Sequence, residues 1–590
     1  MCFWGTAFVI LLKKDLIYLM NLVKNQYSRH LNLRQMFYDL SDKYGDKPFL
    51  KYIKGDDNTV GEVTYRRFTE MMESLGTYFC VTSPEVSRVA ILSENRYEWL
   101  VAYAAVIAAG KTVVPLDKEI EFEQIKKFID LAEVDTLVYS PDFSAEVVKM
   151  AESSPADFSF INFENVDKHD DKRFTSFRKC IAAGEKALDS GKFSFKKIRS
   201  NSARVCAIIF TSGTTGTSKG VMLTEDNLLS CVQAAANMVN VDENAVLLSV
   251  LPYHHTYETC CGLLTPASIG ATICINNNLK YFTRNLQIFR PTAMTLVPLF
   301  IATMSKKIES EIKKSNREAI VKGGVFVTKN LNRVGVDVRR YVFSSIHKFL
   351  GGRLDTIVSG GAALDPEYIK RFEEFGILIT QGYGITECSP LVTVVPWKKV
   401  KYASVGIPIP GSVIKIMAED ENGEEYDLPA GEIGEICIKG PQVMVGYYKN
   451  PAATAEAFNK EGFFKSGDYG YLDEDGFLFI TGRKKNIIIF DNGKNVYPEE
   501  IEEYLYRLDI IKECIVIARN INGEDMITAV IYPNYELLEG LTDDQIKDRF
   551  KSEVALVNRK LPAFKQVHHI EIKKTEFDKT SSKKIIRYKV

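Results

Sequence analysis

The sequence has no Cys-x2-Cys pair and no His-Glu-x-x-His, and its 11 Cys and 7 His are scattered over 590 residues. The only close cysteines are the neighbours Cys260 and Cys261. A zinc cage, a CxxC redox centre and a dense disulfide framework are therefore unsupported, and the cysteines read as reduced thiols in a cytosol. An excess of either charge is also missing. Lys plus Arg total 75 against 76 Asp plus Glu, a net charge of −1, which supplies no bulk field for nucleic acid or an anionic membrane. Long apolar runs are absent too. The opening MCFWGTAFVILL stops at Lys13, Lys14 and Asp15, well short of the ~20 apolar residues that span a bilayer, and it lacks the layout of a signal peptide. Met20 precedes more ordinary sequence. Residues 1–19 are therefore read as an extension, an early start being preferred to a weak membrane-surface contact. No internal repeat or low-complexity tract appears.

What is present is ordinary globular composition, 46% hydrophobic and 26% charged, in a chain long enough for about four domains or one multi-lobed enzyme. Between residues 60 and 200, short β-branched runs alternate with helical stretches. VAILSEN ends near Asn95, the apolar YEWLVAYAAVIAAG follows, and then KTVVPLD. This order predicts βαβ units and a parallel-rich sheet. RVCAIIF (204–210), AMTLVP (293–298) and LDTIVSGG (354–361) repeat the strand signal. Helical spacing over 338–350 ends at Gly351 and Gly352, and residues 305–340, rich in Lys, Glu and Asn, read as an inserted, solvated helical region. Beyond about 403, the dipeptides Asn422-Gly423, Asp475-Gly476 and Asn492-Gly493 between alternating segments predict hairpins. A helix is predicted from Pro498, opening a compact α+β unit. The fold class is thus α/β: a large N-terminal domain of parallel-rich sheets (20–484), a β-rich lobe, and a small α+β C-terminal domain (485–590).

The segment richest in chemistry is Thr211 to Gly220, TSGTTGTSKG, which follows a predicted buried strand. Its glycines let backbone N–H groups approach an anion, its hydroxyls add donors, and Lys219 adds a point charge, as a polyphosphate requires. It is not a Walker A loop, because Ser218 and Gly220 flank the lysine. A generic Gly/Ser/Thr stretch is more often a surface loop, but nine such residues and a lysine behind an apolar strand favour the phosphate reading.

Further segments follow in order: SGGAALD (359–365), QGYGITE (381–387), KSGDYG (465–470), GRKKNIIIFDNGKNVYPEEIE (482–502) and KTSSKKIIR (579–587). Together with TSGTTGTSKG they resemble the ordered motifs of the adenylate-forming superfamily of acyl-CoA synthetases, adenylation domains and firefly-type luciferases. The helical insert and LPYHHTYE (251–258) look most like the bacterial long-chain fatty acyl-CoA synthetase branch.

The resemblance implies specific roles. Thr211, Ser212, Gly213, Thr214, Thr215, Gly216 and Lys219 would hold the phosphates of ATP. Gly360, Gly361, Ala362, Gln381, Gly382, Tyr383 and Gly384 would form the adenine wall, with Tyr383 stacking on the base. Asp468 would take the ribose hydroxyls through charge-assisted hydrogen bonds, and Arg483, a rigid fork of donors, would meet ribose or phosphate oxygens. Glu387, with Thr386 beside it, offers the hard oxygen that Mg²⁺ prefers, and Thr215 is the second metal candidate. His255 and Glu258 fall at the acyl site. Lys485 would be the hinge, and Gly493, Lys494 and Asn495 would meet coenzyme A. Lys584 would be the catalytic lysine. Taken singly, many of these have plainer readings: Asp468 as a turn residue, Glu387 as a helix start, Tyr383 as core, the His pair as packing, and Lys584 as part of a solvated basic tail. The sequence also departs from the family pattern where Lys583 replaces a glycine and Asp578 a proline; Lys584 is kept because Ile585 and Arg587 then hold the family spacing.

The implied reaction joins a long-chain fatty acid to coenzyme A through an acyl-adenylate, with ATP and Mg²⁺, in a cytoplasmic enzyme with no nucleic-acid partner. A carrier-protein acceptor, a short or aromatic acid, a luciferase-like oxygenase and a non-catalytic acyl- or nucleotide-binding regulator are the alternatives. A weak peripheral membrane contact and a homodimer remain open on sequence grounds.

Overall fold

The structure, a computed structural model, describes residues 27, 30–55, 58–168, 170–211, 218–490, 495–521, 524–579, 585–587 and 590, residue 495 in its backbone only. The expected extension at residues 1–19 lies outside these. Two compact units emerge, one of residues 1–413 and 439–458 and the other of 414–438 and 459–590.

The larger unit holds two twisted sheets. In one, Thr112–Pro115, Arg88–Leu92, Thr136–Tyr139, Ser159–Asn162 and Phe174–Ser176 run parallel from the parallel partner Val205–Thr211, and Lys219–Thr224 and Gly446–Tyr447 close the other edge antiparallel. In the other, Leu378–Gly384, Thr356–Ser359, Ala293–Leu296, Val246–Ser249, Thr272–Ile275 and Pro48–Lys54 are all parallel neighbours, with antiparallel strands at both edges. Such strands are buried on both faces, so they read as continuous apolar runs. Helix Tyr97–Ala108, apolar around its whole circumference, is buried accordingly against Arg88–Leu92, Thr112–Pro115 and helices Leu33–Tyr44 and Tyr65–Thr77. Helix Glu225–Met238 starts at a Thr224–Asn227 capping box. Asn227 also donates through Nδ2 to the carbonyls of Pro441 (2.8 Å) and Val443 (2.9 Å), tying residues 441–443 to the helix start.

The smaller unit contains a five-stranded antiparallel sheet and an α+β part in which Ile511–Ile521, Glu524–Pro533 and His569–Ile572 form a sheet packed with helices Pro498–Tyr506 and Asp543–Asn558. The expected fold class is therefore observed: α/β with parallel-rich sheets, a β-rich lobe and a C-terminal α+β part. The stretch 338–350 departs locally, splitting into Arg339–Val342 and Ser344–Phe349. Among the described residues, no helix is long and apolar enough to cross a membrane.

Candidate active site

In the larger unit, the two segments that the motif resemblance assigns to adenine leave the carboxyl ends of adjacent parallel strands, with Ser359 opposite Gln381. This is where open α/β sheets place ligands. Gly360, Gly361 and Ala362 thus lie beside Gln381, Gly382, Tyr383 and Gly384. The backbone here has little freedom. A Cβ on Gly384 would sit 2.1 Å from the Pro390 carbonyl, and one on Gly360 would sit 2.9 Å from the Tyr257 ring. Gln381 donates through Nε2 to the carbonyls of Tyr402 (3.0 Å) and Ser404 (3.3 Å), so its amide is spent on structure.

Thr386 and Glu387 follow in a short turn, Thr386–Cys388. The Tyr447 hydroxyl donates to Glu387 Oε1 at 3.0 Å, and the Lys219 ammonium lies 4.7 Å from the centre of the Tyr447 ring. The pairing of Gly446–Tyr447 with Val221 and Met222 creates this arrangement. Burial and the neighbouring Glu387 push the Tyr447 phenol up, so it remains a hydrogen-bond donor. Thr211 and Lys219 face each other across an antiparallel pair, so the two ends of the phosphate-type segment belong to neighbouring strands. Ser212, Gly213, Thr214, Thr215 and Gly216 lie outside the described residues.

A largely apolar cavity of about 70 Å³, partly open to solvent, adjoins Gly360, Gly361, Gly382, Tyr383 and Gly384. Its other walls come from helix Glu225–Met238 and the stretch after it, from Leu247 and Ala293, and from Tyr257, Cys261 and Ile269. The segment Tyr257–Leu264 is wound as a π-helix, a rare winding that recurs at functional sites. Tyr257 is fixed by donating to the carbonyls of Val358 (2.9 Å) and Leu296 (3.3 Å). Glu258 is fully buried: one carboxylate oxygen accepts from the Ser249 hydroxyl and the other from Thr295 Oγ1 at 2.9 Å. Burial raises it to about 7, and those two hydroxyls moderate the rise. The cavity is lined by the neighbours of His255 and Glu258, Tyr257 and Cys261. His254 is buried with Nε2 3.5 Å from Asp117 Oδ1, and burial lowers it to about 3, a neutral packing histidine.

In the smaller unit, Asp468 and Arg483 are cross-strand partners, and Arg483 Nε donates to the buried Asp468 at 3.0 Å. Next to them Lys484 pairs with buried Glu435 at 2.7 Å, which also accepts from the Gly467 N–H at 3.1 Å. Lys485 is lowered by burial, then by Arg483 and Arg587. Gly493, Lys494 and Lys584 lie outside the described residues. Asn495 pairs through its backbone with Ile489.

The segments flanking Lys584 are well anchored. Lys579 pairs with Glu513 and, at 2.9 Å, with Glu576, and it bridges to Ile585. Arg587 pairs with Glu502, a buried carboxyl that burial raises to about 7 despite that cation, and donates to the Val516 carbonyl at 3.2 Å. Phe577 packs on Ile515 and Val530. Tyr447, Glu435 and the apolar residues of the cavity carry no motif in the sequence; for Tyr447 the available cue is the GYYKNP turn that precedes helix Pro451–Ala457.

Residues 37–448 match the AMP-binding enzyme family, and residues 485–590 match the AMP-binding enzyme C-terminal domain. The chain belongs to the AMP-binding enzyme family. The resemblance carried by the motifs is thereby borne out. Within the family, a long-chain-fatty-acid–CoA ligase of Mycobacterium bovis is 29% identical, the match covering 77% of this chain and 74% of that protein. A chloroplastic long-chain-fatty-acid–[acyl-carrier-protein] ligase of Arabidopsis thaliana is 26% identical over 87% of this chain and 78% of its own. A crystal structure of an anthranilate CoA ligase bound to anthranoyl-AMP superposes with a TM-score of 0.75 at 18% identity, covering 96% of this chain and 97% of that one.

Proposed function

We propose that this AMP-binding enzyme activates a long-chain fatty acid with ATP and passes the acyl group to coenzyme A. The observation that carries the substrate class is the apolar cavity, which runs from the glycines at 360–361 and at 382 and 384 into the cluster of Val239, Val241, Leu247, Ile269 and Ala293. A wall with so few polar groups suits an aliphatic chain better than a polar acid. The names of the Mycobacterium and Arabidopsis relatives support the same class.

The acid carboxylate attacks the α-phosphorus of ATP. A carboxylate–phosphorus bond forms and pyrophosphate departs. Alignment and charge neutralisation carry this step. We assign nucleotide phosphates to Thr211, Ser212, Gly213, Thr214, Thr215, Gly216 and Lys219, adenine to the 360–362 and 381–384 segments, ribose to Asp468 and Arg483, and the reacting oxygens to Lys584. Magnesium, when bound, supplies positive charge to the phosphates. The hard carboxylate of Glu387 fits it, since this ion takes few protein oxygens and keeps waters and phosphate oxygens, and Tyr447 orients that carboxylate. In the second step the thiol of coenzyme A attacks the acyl carbonyl, and AMP leaves. We assign the change between steps to a hinge at Lys485, at the boundary between a domain of 20–484 and one of 485–590, with residues 493–495 meeting the thiol substrate. His255 and Glu258 then act through the wall segment they belong to.

The test is pyrophosphate release with ATP and Mg²⁺ over acids from acetate to oleate, with and without coenzyme A. Turnover on long acids that needs coenzyme A supports the reading. Preference for benzoate-like acids would replace the substrate class. Turnover only with an acyl-carrier protein, for which the Arabidopsis relative is named, would replace the acceptor, and no release with any acid would leave a binding protein.

A further inference from the structure

Most helices of the larger unit bury an apolar face; Glu318–Arg333 buries only Thr328. Ile320 (71% exposed), Val327 and Val334 (73% exposed) recur at seven-residue spacing and so share one side of the helix and its exit, with Phe326 (72% exposed) next to them. Val336 and Tyr341 (85% exposed) continue this apolar surface beyond the helix. Eight of the 24 exposed large hydrophobics among the described residues fall between Leu299 and Val342, a concentration that marks an interaction surface. The same stretch departs from the chain's neutrality. Residues 305–340 carry ten Lys or Arg against four Asp or Glu, whereas the whole chain has a net charge of −1. On the helix, Lys322, Lys329 and Arg333 recur at near-helical spacing against the single acid Glu318.

We propose that this insert docks on an anionic phospholipid surface, with Ile320, Phe326, Val327, Val334 and Tyr341 entering the headgroup–acyl boundary and the cations pairing with lipid phosphates. An apolar stripe beside a cationic one fits an interface plane, and the local positive charge complements anionic headgroups. The surface goes beyond the proposed activity, though a fatty-acid substrate would make it useful, because such acids partition into bilayers.

The test is co-sedimentation of the full chain with vesicles of equal parts phosphatidylcholine and phosphatidylglycerol, beside vesicles of phosphatidylcholine alone. The expected result is binding to the anionic vesicles only, weakened by salt. Lys322→Glu, Lys329→Glu and Arg333→Glu together should weaken it roughly 100-fold or more, and Ile320→Ser, Phe326→Ser and Val334→Ser together at least about tenfold. Both variants should keep the thermal unfolding of the parent. Equal binding to both vesicle types, no binding to either, or variants that bind like the parent would overturn the proposal. So would variants that lose self-association of the protein alone, which would make the face a contact between copies. Vesicle binding is read without turnover, so its failure is distinct from failure of the proposed activity.

Discussion

The glycine-walled region around residues 360 and 384 and the C-terminal segments around Lys579 and Arg587 both flank proposed nucleotide contacts, yet they are held by different forces. The first is fixed by backbone contact: Gly384 faces the Pro390 carbonyl, Gly360 faces the Tyr257 ring, and both leave adjacent strands of one sheet. The second is fixed by charged side chains, with Lys579 on Glu513 and Glu576 and Arg587 on Glu502. Close-packed backbone admits few alternatives, whereas ion pairs can exchange and respond to salt and pH. The proposed nucleotide wall and the proposed one-step role of Lys584 would call for that division.

The sharpest break of the comparison is Lys584→Ala. It should cut adenylate formation roughly 10²- to 10³-fold, the scale of one lost charge-stabilising donor, and leave thioester formation from supplied acyl-adenylate nearly intact. Equal losses in both steps would sink the division of labour, and a larger loss from Lys583→Ala would move the role by one residue. Next in size is Glu502→Ala, which leaves Arg587 without its buried partner. The smaller unit should lose about 3 kcal/mol, and adenylate formation should suffer more than thioester formation. A variant as stable as the parent would show that Arg587 needs no anchor.

Glu258 belongs to the first region and should behave differently. Its folded-state value, about 7, lies above the usual 4.5 because it is buried. Folding therefore takes up a proton between those values. Stability from this group is fully present below about pH 4.5 and lost as pH rises through about 7, on the order of 3 kcal/mol. Chemical unfolding of Glu258→Gln beside the parent isolates the effect: the variant should gain on the parent between pH 5 and pH 8. Parallel curves would mean that the carboxylate is ionised in place.

The sequence made much of the first region legible. AMTLVP became strand Ala293–Leu296 and LDTIVSGG became Thr356–Ser359, and in the smaller unit the hairpins at Asn422-Gly423 and Asp475-Gly476 likewise formed where expected, because strand alternation and turn chemistry are local signals. The wall motifs were legible because glycines at close approaches leave a fixed signature. The cavity was not. Ala235, Val239, Leu247 and Ile269 come from separate elements, and an apolar side chain facing a cavity looks like one facing a core. Tyr447 was hidden for another reason, being 60 residues from Glu387 and brought to it by tertiary contacts, among them the Gly446–Tyr447 edge pairing and the Met444 N–H that donates to the Glu387 carbonyl at 2.7 Å.

The cavity residues give the next prediction. Ala235 lines the cavity from helix Glu225–Met238, so Ala235→Phe should fill space that a long chain needs. Release with long acids should fall roughly 10- to 100-fold while release with short acids holds. A uniform fall over all lengths would mean damage to the nucleotide end, and no fall would place the chain elsewhere.

Tyr447 offers the smallest and most discriminating test. Its hydroxyl holds Glu387 at 3.0 Å and its ring sits 4.7 Å from the Lys219 ammonium. Tyr447→Phe removes the first contact and keeps the second, whereas Tyr447→Leu removes both. A hydrogen bond to an ionised carboxylate contributes about 1.5 kcal/mol net or more, so the phenylalanine variant should raise the Mg²⁺ concentration needed for half-maximal release roughly tenfold and leave the apparent affinity for ATP little changed. The leucine variant should weaken ATP as well, since a lysine freed from an aromatic face is less well positioned. If both variants weaken ATP equally and neither shifts the Mg²⁺ requirement, Tyr447 supports the phosphate-type segment alone, and Glu387 must be oriented by other neighbours.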